Sequence, residues 1–390
     1  MPTFIRREKN MDFETFKENI AKDLKEAMES RMGNEYEVRT QSVEKMNESY
    51  EAITIKPADG EIGVNINATS LYDAVQNGTP YDTALDRAAD MAEGSFRDQP
   101  DFDIAAFSDY SRMKNTLAME VVSAERNAAL LETVPHKDME DMAVVYRFVV
   151  GDTPGGTGTI LVTNQMLDNY GITAEQLHED AMRNAPEIRP MVIEGMAEVL
   201  AKQMGVENAE MLGFNIPPEQ DVMLVATVEG NVHGAGVLAY EDFMDKAAER
   251  VDGSFFILPS SVHEILIIPD NGQFDLHSLE NMVREVNATT VDPVDKLTDN
   301  VYHYDADAKV FELGEKFVER QAALSEATKG RGAVEVTGKA TDVSAEKASI
   351  ASGEKKSILG ELKANKDAIA GSPKKDAVEK AVKTKGGAEL

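Results

Sequence analysis

The residues best suited to chemistry lie in one short segment, Leu258-Pro259-Ser260-Ser261-Val262-His263-Glu264. Ser260 or Ser261 with His263 could supply a nucleophile and its base, and Glu264 could orient the imidazole ring. Neighbouring side chains on a strand point to opposite faces, however, which separates His263 from Glu264. The same residues also suit a binding pocket, or a turn in which the hydroxyls bond to the backbone.

A second group of polar residues surrounds His136. Asp138, Glu140 and Asp141 follow it within five residues, and an imidazole with carboxylates could ligate a divalent metal. No second histidine stands at helical spacing from His136, and the chain has no His-Glu-x-x-His motif. Acidic residues also complement the positive end of a helix dipole. The pattern therefore favours the start of a helix at His136 over a metal site.

A third group combines amides, acids and aromatic residues. It begins at Asn287 and continues through Tyr302 and His303. These side chains could rim a pocket together with His263, or they could cap helices and turns. Two glycine-rich segments, 151–158 and 230–236, lack the Lys-Ser/Thr ending of a P-loop and are interpreted as mobile hairpin loops.

Composition excludes several classes of protein. The 390 residues contain 40 Lys and Arg against 70 Asp and Glu, so the formal net charge is −30. A protein that binds nucleic acid by broad charge neutralisation needs a basic excess instead. The absence of cysteine excludes disulfides, thiolate catalysis and Cys-ligated zinc or iron–sulfur sites. We predict neither a metal nor another cofactor.

The chain also lacks the features of a membrane or secreted protein. No apolar run approaches the roughly 18 residues of a membrane span. Residues 1–20 lack the apolar core of a secretory signal. We therefore predict a cytoplasmic protein that contacts no membrane, with either Met1 or Met11 as its start.

The apolar pattern alternates between helix and strand periods over most of the chain. Helical spacing is clear over 13–28, and strand alternation is clear over 50–55. The runs 255–258 and 265–268 are apolar on both faces, so they should lie in the middle of a covered sheet. Hairpins with helices between them predict an α+β fold, in which antiparallel sheets are covered by helices.

These patterns divide the chain into four predicted regions. An N-terminal α+β unit covers 11–97, and a helical connector covers 98–129. A larger α+β unit, which contains the Pro-Ser-Ser-x-His-Glu turn, covers 130–318. Within it we expect a helix over 190–203 and a strand pair at 222–227 and 235–239. Residues 319–390 are predicted to be a low-complexity and mostly disordered tail.

The tail differs from the body in charge. Residues 327–390 carry a net charge of +4, whereas residues 1–326 carry −34. Without Phe, Tyr or Trp, residues 327–390 cannot bury enough apolar area to offset chain entropy. Ile358, Leu362 and Ile369 fall on one helical face. This face predicts either a motif that folds on a protein partner or a transient helix without one.

Several segments together resemble one bacterial family. They run in order over roughly 12–312 and lie at 36–38, 45–55, 64–72, 134–136, 184–186, 257–264, 282–287 and 300–305. The family, domain of unknown function 5688, is found in anaerobic Gram-positive bacteria and is often encoded on mobile elements. It has no assigned activity, so the resemblance implies a bacterial cytoplasmic accessory protein with a link to mobile DNA. The chain departs from the family at 45–48 and at Ala185, where the family tends to have Thr.

Three functions are open on this evidence. A non-enzymatic binding or interaction protein is favoured, because no group of residues meets the geometric requirements of a catalytic site. The acidic body suggests a DNA mimic that blocks a restriction enzyme or another nucleic-acid-binding enzyme. The third function is a hydrolase that uses Ser260 or Ser261 with His263, or a metal near His136.

Overall fold

The computed structural model describes residues 11–60, 62–97, 107–153, 156–204, 221 and 223–331. Among these, one compact unit comprises the residues up to 190 together with 292–297. A second unit comprises 191–291 and the residues from 298 onward. The two units thus divide after Pro190, whereas the sequence pattern places a boundary at 129–130.

The first unit begins with a three-stranded sheet covered by helices. Its strands β1 (Tyr36–Lys45), β2 (Glu48–Pro57) and β3 (Val64–Asn67) pair in that order. Helices α1 (Phe13–Met32), α2 (Ala68–Gln76) and α3 (Tyr81–Arg97) share its core. The apolar stripe predicted for α1 is buried, and each of its largest side chains contributes about 1.5–3 kcal/mol. These side chains are Phe16, Ile20, Leu24 and Met28, each at most 1% exposed.

The second sheet of this unit is built around β6 (Met142–Thr153). Strand β4 (Leu117–Ser123) pairs along one edge of β6, and β5 (His136–Met139) and β7 (Gly156–Leu161) pair along successive parts of the other. Short helices α4 (Tyr110–Met113), α5 (Ala128–Leu131) and α6 (Asn164–Tyr170) connect these strands with α7 (Ala174–Ile188). Helix α7 packs against β4.

The second unit contains a six-stranded sheet. Its strands are β8 (Met191–Gly195), β9 (Leu224–Val228), β10 (Phe255–Ser261), β11 (Glu264–Pro269), β12 (Tyr302–Asp305) and β13 (Val310–Leu313). They lie in the order β13-β12-β10-β11-β9-β8 and every pairing is antiparallel. Its helices are α8 (Met196–Met204), α9 (Phe243–Val251), α10 (Leu276–Thr289) and α11 (Gly314–Arg331).

The two strands predicted to be central are central and covered on both faces. Phe256, Leu258 and Ile268 pack with α10 on one face. On the other face Ile257, Ile265 and Ile267 are fully buried. Helix α9 lies on that second face, because the hydroxyl of Tyr304 donates to Asp245 of α9. The α+β class with antiparallel sheets covered by helices is therefore confirmed.

Four local predictions are wrong. Residues 117–123, predicted to belong to a helical connector, form strand β4. The helix expected at His136 is strand β5. The first residues of the helix expected over 190–203 form strand β8. Residues 235–239, predicted as a strand, belong to a 3₁₀ helix, Gly234–Ala239. Residues 117–123 and 234–239 are buried throughout, which hides the period that would distinguish helix from strand. Residues 136–139 are polar and become a strand by pairing with β6.

Parts of the predicted tail lie outside the described residues. Residues 319–331 are the last part of helix α11, whereas Ile358, Leu362 and Ile369 are not described. Among the described residues, no helix combines the length and the apolar character that a membrane crossing requires.

Candidate functional site

The Pro-Ser-Ser-x-His-Glu segment forms the tip of the β10–β11 hairpin. The pairing of the two strands is regular up to Leu258, shifts at a bulge, and resumes where Ser261 faces Glu264. The backbone N–H of His263 donates to Oγ of Ser261 over 3.1 Å. Such a hydroxyl-to-backbone bond is the turn chemistry expected of serine at this place. The side chain of Ser260 lies outside the described residues.

A second chain segment, residues 227–235 at the end of β9 and beyond it, packs against this hairpin tip. Thr227 Oγ1 donates to the carbonyl of His263 over 2.8 Å, and the N–H of Ala235 donates to the carbonyl of Val262 over 3.1 Å. Asn231 and His233 have φ angles of 56° and 54°. Asn and His are among the non-glycine residue types that adopt this left-handed conformation most often.

Two imidazole rings meet where the segments join. The backbone N–H of His233 donates to Nδ1 of His263 over 3.1 Å, and the ring centroids are 5.4 Å apart at an angle of 52°. Because Nδ1 accepts this bond, the proton of neutral His263 is on Nε2. Val232, the residue before His233, is 51% exposed. We call Val232, His233, Ser261 and His263 the hairpin–loop surface.

Glu264 lies beside this surface but in a different environment. Burial raises the pKa of its carboxyl, and the nearby charge of His263 acts in the opposite direction. A carboxyl that is desolvated in this way holds its proton to a higher pH than a free glutamate does.

The described groups do not form a nucleophile and base from Ser261 and His263. Oγ of Ser261 receives the backbone N–H of His263, and Nδ1 of the ring receives the N–H of His233. A Ser–His pair instead needs the hydroxyl to donate to a ring nitrogen. Among the described residues, no three His, Asp or Glu side chains are grouped so that they could hold a metal ion.

Comparison with known proteins identifies the family. A family model described as a family of unknown function, DUF5688, matches residues 13–306. The chain belongs to the DUF5688 family. No curated protein and no solved structure matches it. The DUF5688 match covers most of the described residues of both units, including the hairpin–loop surface.

The other predicted site residues of this DUF5688 protein have separate settings. His136 lies on β5, where its Nδ1 is 3.1 Å from the carbonyl oxygen of Val134. Asn287 of α10 donates from Nδ2 to the carbonyl of Thr298 and to Oδ1 of Asp299, each over 2.8 Å. Tyr302 is buried and its ring stacks on that of Phe311. These contacts are thus within the residues' own parts of the fold and not with the hairpin–loop surface.

His303 does not share a pocket with His263. His303 pairs with Phe256 of β10. Phe256 lies five residues before Ser261, a separation of roughly 16 Å along a strand. His303 is 1% exposed, and its Nε2 lies 3.0 Å from Oδ2 of Asp270. The structure therefore places these two histidines, which the sequence suggested could rim one pocket, at different positions along the sheet.

A polar cleft in the first unit does not resemble a ligand site. Its volume is about 140 Å³, and Asn47 and Asn127 line it. The N–H of Asn47 donates to Oδ1 of Asn127 over 2.7 Å, and Nδ2 of Asn127 donates back to Oδ1 of Asn47 over 2.9 Å. Small-molecule sites are usually about 300 Å³ or larger, so this cleft serves to join the β1–β2 turn to its neighbours.

Sequence reasoning missed Thr227, His233 and Gly234. Residues 230–236 look like an ordinary glycine-rich loop, and their partners are about 30 residues further along the chain. The one available signal is His233-Gly234, a polar residue followed by the residue type that tolerates the closest backbone approach.

Proposed function

We propose that this DUF5688 protein is a non-catalytic binding protein, and that its hairpin–loop surface recognises another protein. The observation that carries the proposal is that hydrogen bonds hold this surface in one conformation. Hydrogen bonds from Thr227, His233 and Ala235 fix the tip of the β10–β11 hairpin to a second chain segment. A surface that is already ordered pays little conformational entropy on binding.

The chemistry of the surface supports a protein partner. It combines an exposed apolar side chain, Val232, with the rings of His233 and His263 and the hydroxyl of Ser261. Apolar contact surrounded by hydrogen-bonding groups is the usual composition of a protein–protein contact. Ser261 and His263 each receive a backbone N–H instead of pairing with each other, which favours binding over hydrolysis by this pair.

Replacing Val232 by arginine is expected to weaken capture of the partner at least tenfold, or about 1.4 kcal/mol, because a long charged side chain blocks the apolar contact. Wild-type and V232R chains would be used to capture proteins from the native host lysate, with quantification by mass spectrometry. Val294→Arg is the matched control, since Val294 is 43% exposed and belongs to the other unit.

The control separates recognition from a general charge effect. A protein bound by wild type and by V294R, and lost from both V232R and His263→Gln, supports the proposal. Identical sets of captured proteins for all four chains would show that the surface has no such role.

The tail provides a second proposed contact. Ile358, Leu362 and Ile369 would fold as a helix on a protein partner. A chain truncated after Glu326 would lose that partner but keep any protein that binds the hairpin–loop surface. Equal capture by full-length and truncated chains would count against a role for the tail.

The charge of the body supports one alternative, a DNA mimic. Residues 1–326 carry a net charge of −34, which would steer them toward the basic cleft of a DNA-binding enzyme. Such an enzyme would be captured equally by the full-length, truncated and V232R chains and released by salt, because the attraction is screened. Capture that resists salt would contradict mimicry.

A further inference from the structure

Helix α11 is attached to the six-stranded sheet through its first two turns. Phe317 and Arg320 are partly buried there, whereas residues 321–326 are exposed. Phe317 packs against the cluster that contains Phe256, Leu279 and Val283. The position of the whole helix therefore depends on what Phe317 and Arg320 contact.

Phe317 lies on the ring of His303. The ring centroids are 3.5 Å apart and the planes differ by 14°, while the ring of Phe256 meets His303 edge-on at 5.0 Å. Nε2 of His303 donates to Oδ2 of Asp270. Nδ1 is buried and has no hydrogen-bond partner among the described residues. The imidazole thus fills an apolar gap between the sheet and α11.

Arg320 forms the second attachment. Its Nε donates to Oε1 of Glu312 over 2.7 Å, and its Nη2 donates to Oδ2 of Asp305 over 2.9 Å. Glu312 on β13 is the direct pairing partner of His303, and Asp305 lies two residues further along β12. The charged groups around His303 are therefore Asp270, Asp305, Glu312 and Arg320, since β10 and α10 contribute apolar side chains.

A proton added to His303 must go to Nδ1, for which the described residues provide no acceptor. Burial opposes the added charge more strongly than the carboxylates of Asp270, Asp305 and Glu312 favour it, so the pKa of His303 lies below its ordinary value of 6.5. An imidazole released into water has no such penalty. Protonation therefore favours any state in which His303 is uncovered.

We propose that α11 is a pH-sensitive clasp, in which neutral His303 holds the helix on the sheet and protonation of His303 below about pH 6.5 releases it. The direction of this pH dependence follows from the linkage between proton binding and opening. The uncovered state binds the proton more readily than the closed state, so the closed state is fully favoured above pH 6.5 and loses stability as the pH falls. At pH 5.5 the open population rises by at most about tenfold, since the pH is one unit below the ordinary pKa.

The clasp can be tested on the full chain, which has no cysteine. Gln321→Cys on α11 and Glu285→Cys on α10 are exposed positions for a pair of nitroxide labels. Pulsed dipolar spectroscopy should give one narrow distance at pH 8 and an additional longer distance at pH 5.5. The pKa of Asp305 is lowered by the N–H of Ala308 and by Arg320, so this carboxylate stays charged over the range.

Two variants decide whether His303 is the sensor. His303→Phe keeps an aromatic ring against Phe317 but cannot titrate, and it should keep the narrow distance at both pH values. His303→Gln tests the same point if phenylalanine does not pack. Phe317→Ala should show the longer distance at both pH values. An unchanged wild-type distance at pH 5.5, or an acid response that both His303 variants retain, would overturn the proposal.

Discussion

Replacing Glu120 by glutamine is expected to destabilise the first unit by about 3–5 kcal/mol. Glu120 lies on β4 and is 1% exposed. Its carboxylate receives Nε of Arg147 over 2.8 Å and Nη1 of Arg189 over 3.0 Å. Both guanidinium groups are largely buried as well. Glutamine has nearly the same shape as glutamate. The loss of stability therefore measures the contribution of the negative charge, which compensates the two buried guanidinium groups.

Hydrogen exchange with mass spectrometry is the appropriate measurement, because a protein of two compact units need not unfold in one step. Peptides from β4 and β6 should lose protection while those from β10 and β11 do not. Asp86→Asn is the control. Asp86 pairs with Arg31 in the same unit, but its side chain is 72% exposed, so its removal should cost no more than about 1 kcal/mol.

A second comparison tests the electrostatic cause. If Glu120→Gln leaves the protection of β4 and β6 unchanged, the buried carboxylate does not compensate the two arginines. Replacing Glu120, Arg147 and Arg189 together by Leu, Met and Met should recover much of the loss, since no buried charge is left without a partner.

The fold class could be predicted because its evidence is local. Helix α1 has a clear helical period, and the short runs 255–258 and 265–268 are apolar on both faces, as expected for the middle of a covered sheet; the burial of all three agrees. Strands β4 and β8 could not be recognised. In Leu117–Ser123 every side chain is buried, the polar Glu120 and Ser123 included, so polar and apolar positions do not alternate. The short run Met191–Gly195 directly precedes a helix and is apolar at most positions, so the sequence does not separate the two.

The candidate site was predictable only in part, for the same reason. The hydroxyls and imidazole of the β10–β11 turn are adjacent in sequence. Their partners Thr227 and His233 are 36 and 30 residues away, and Asp270 is 33 residues from His303. One sequence contains no signal for such pairs, because each depends on which strands become neighbours in the sheet.

Gly234→Ala is expected to disrupt the hairpin–loop surface and to destabilise the second unit by about 3 kcal/mol. A Cβ atom at Gly234 would overlap Oγ1 of Thr227 and the carbonyl oxygen of His263, and it would lie 2.9 Å from Cα of Thr227. Two of these neighbours are backbone atoms, one on β9 and one in the β10–β11 turn, and neither can move far without disturbing the pairing of these strands. Overpacking of this kind typically costs 1–3 kcal/mol, occasionally more.

Gly272→Ala separates this overlap from a general effect of glycine. Gly272 belongs to the same unit, has a φ angle of 75°, and leaves an added Cβ with nothing within 4 Å. Replacing Gly272 by alanine costs only the free energy of placing a residue with a Cβ atom in the left-handed conformation, about 1–2 kcal/mol. Urea unfolding of the two variants, with exchange of peptides from β9 and β11 as the local measure, compares them. If both lose the same stability, Gly234 is not held by contact with Thr227 and His263, and the rigidity of the hairpin–loop surface must have another source.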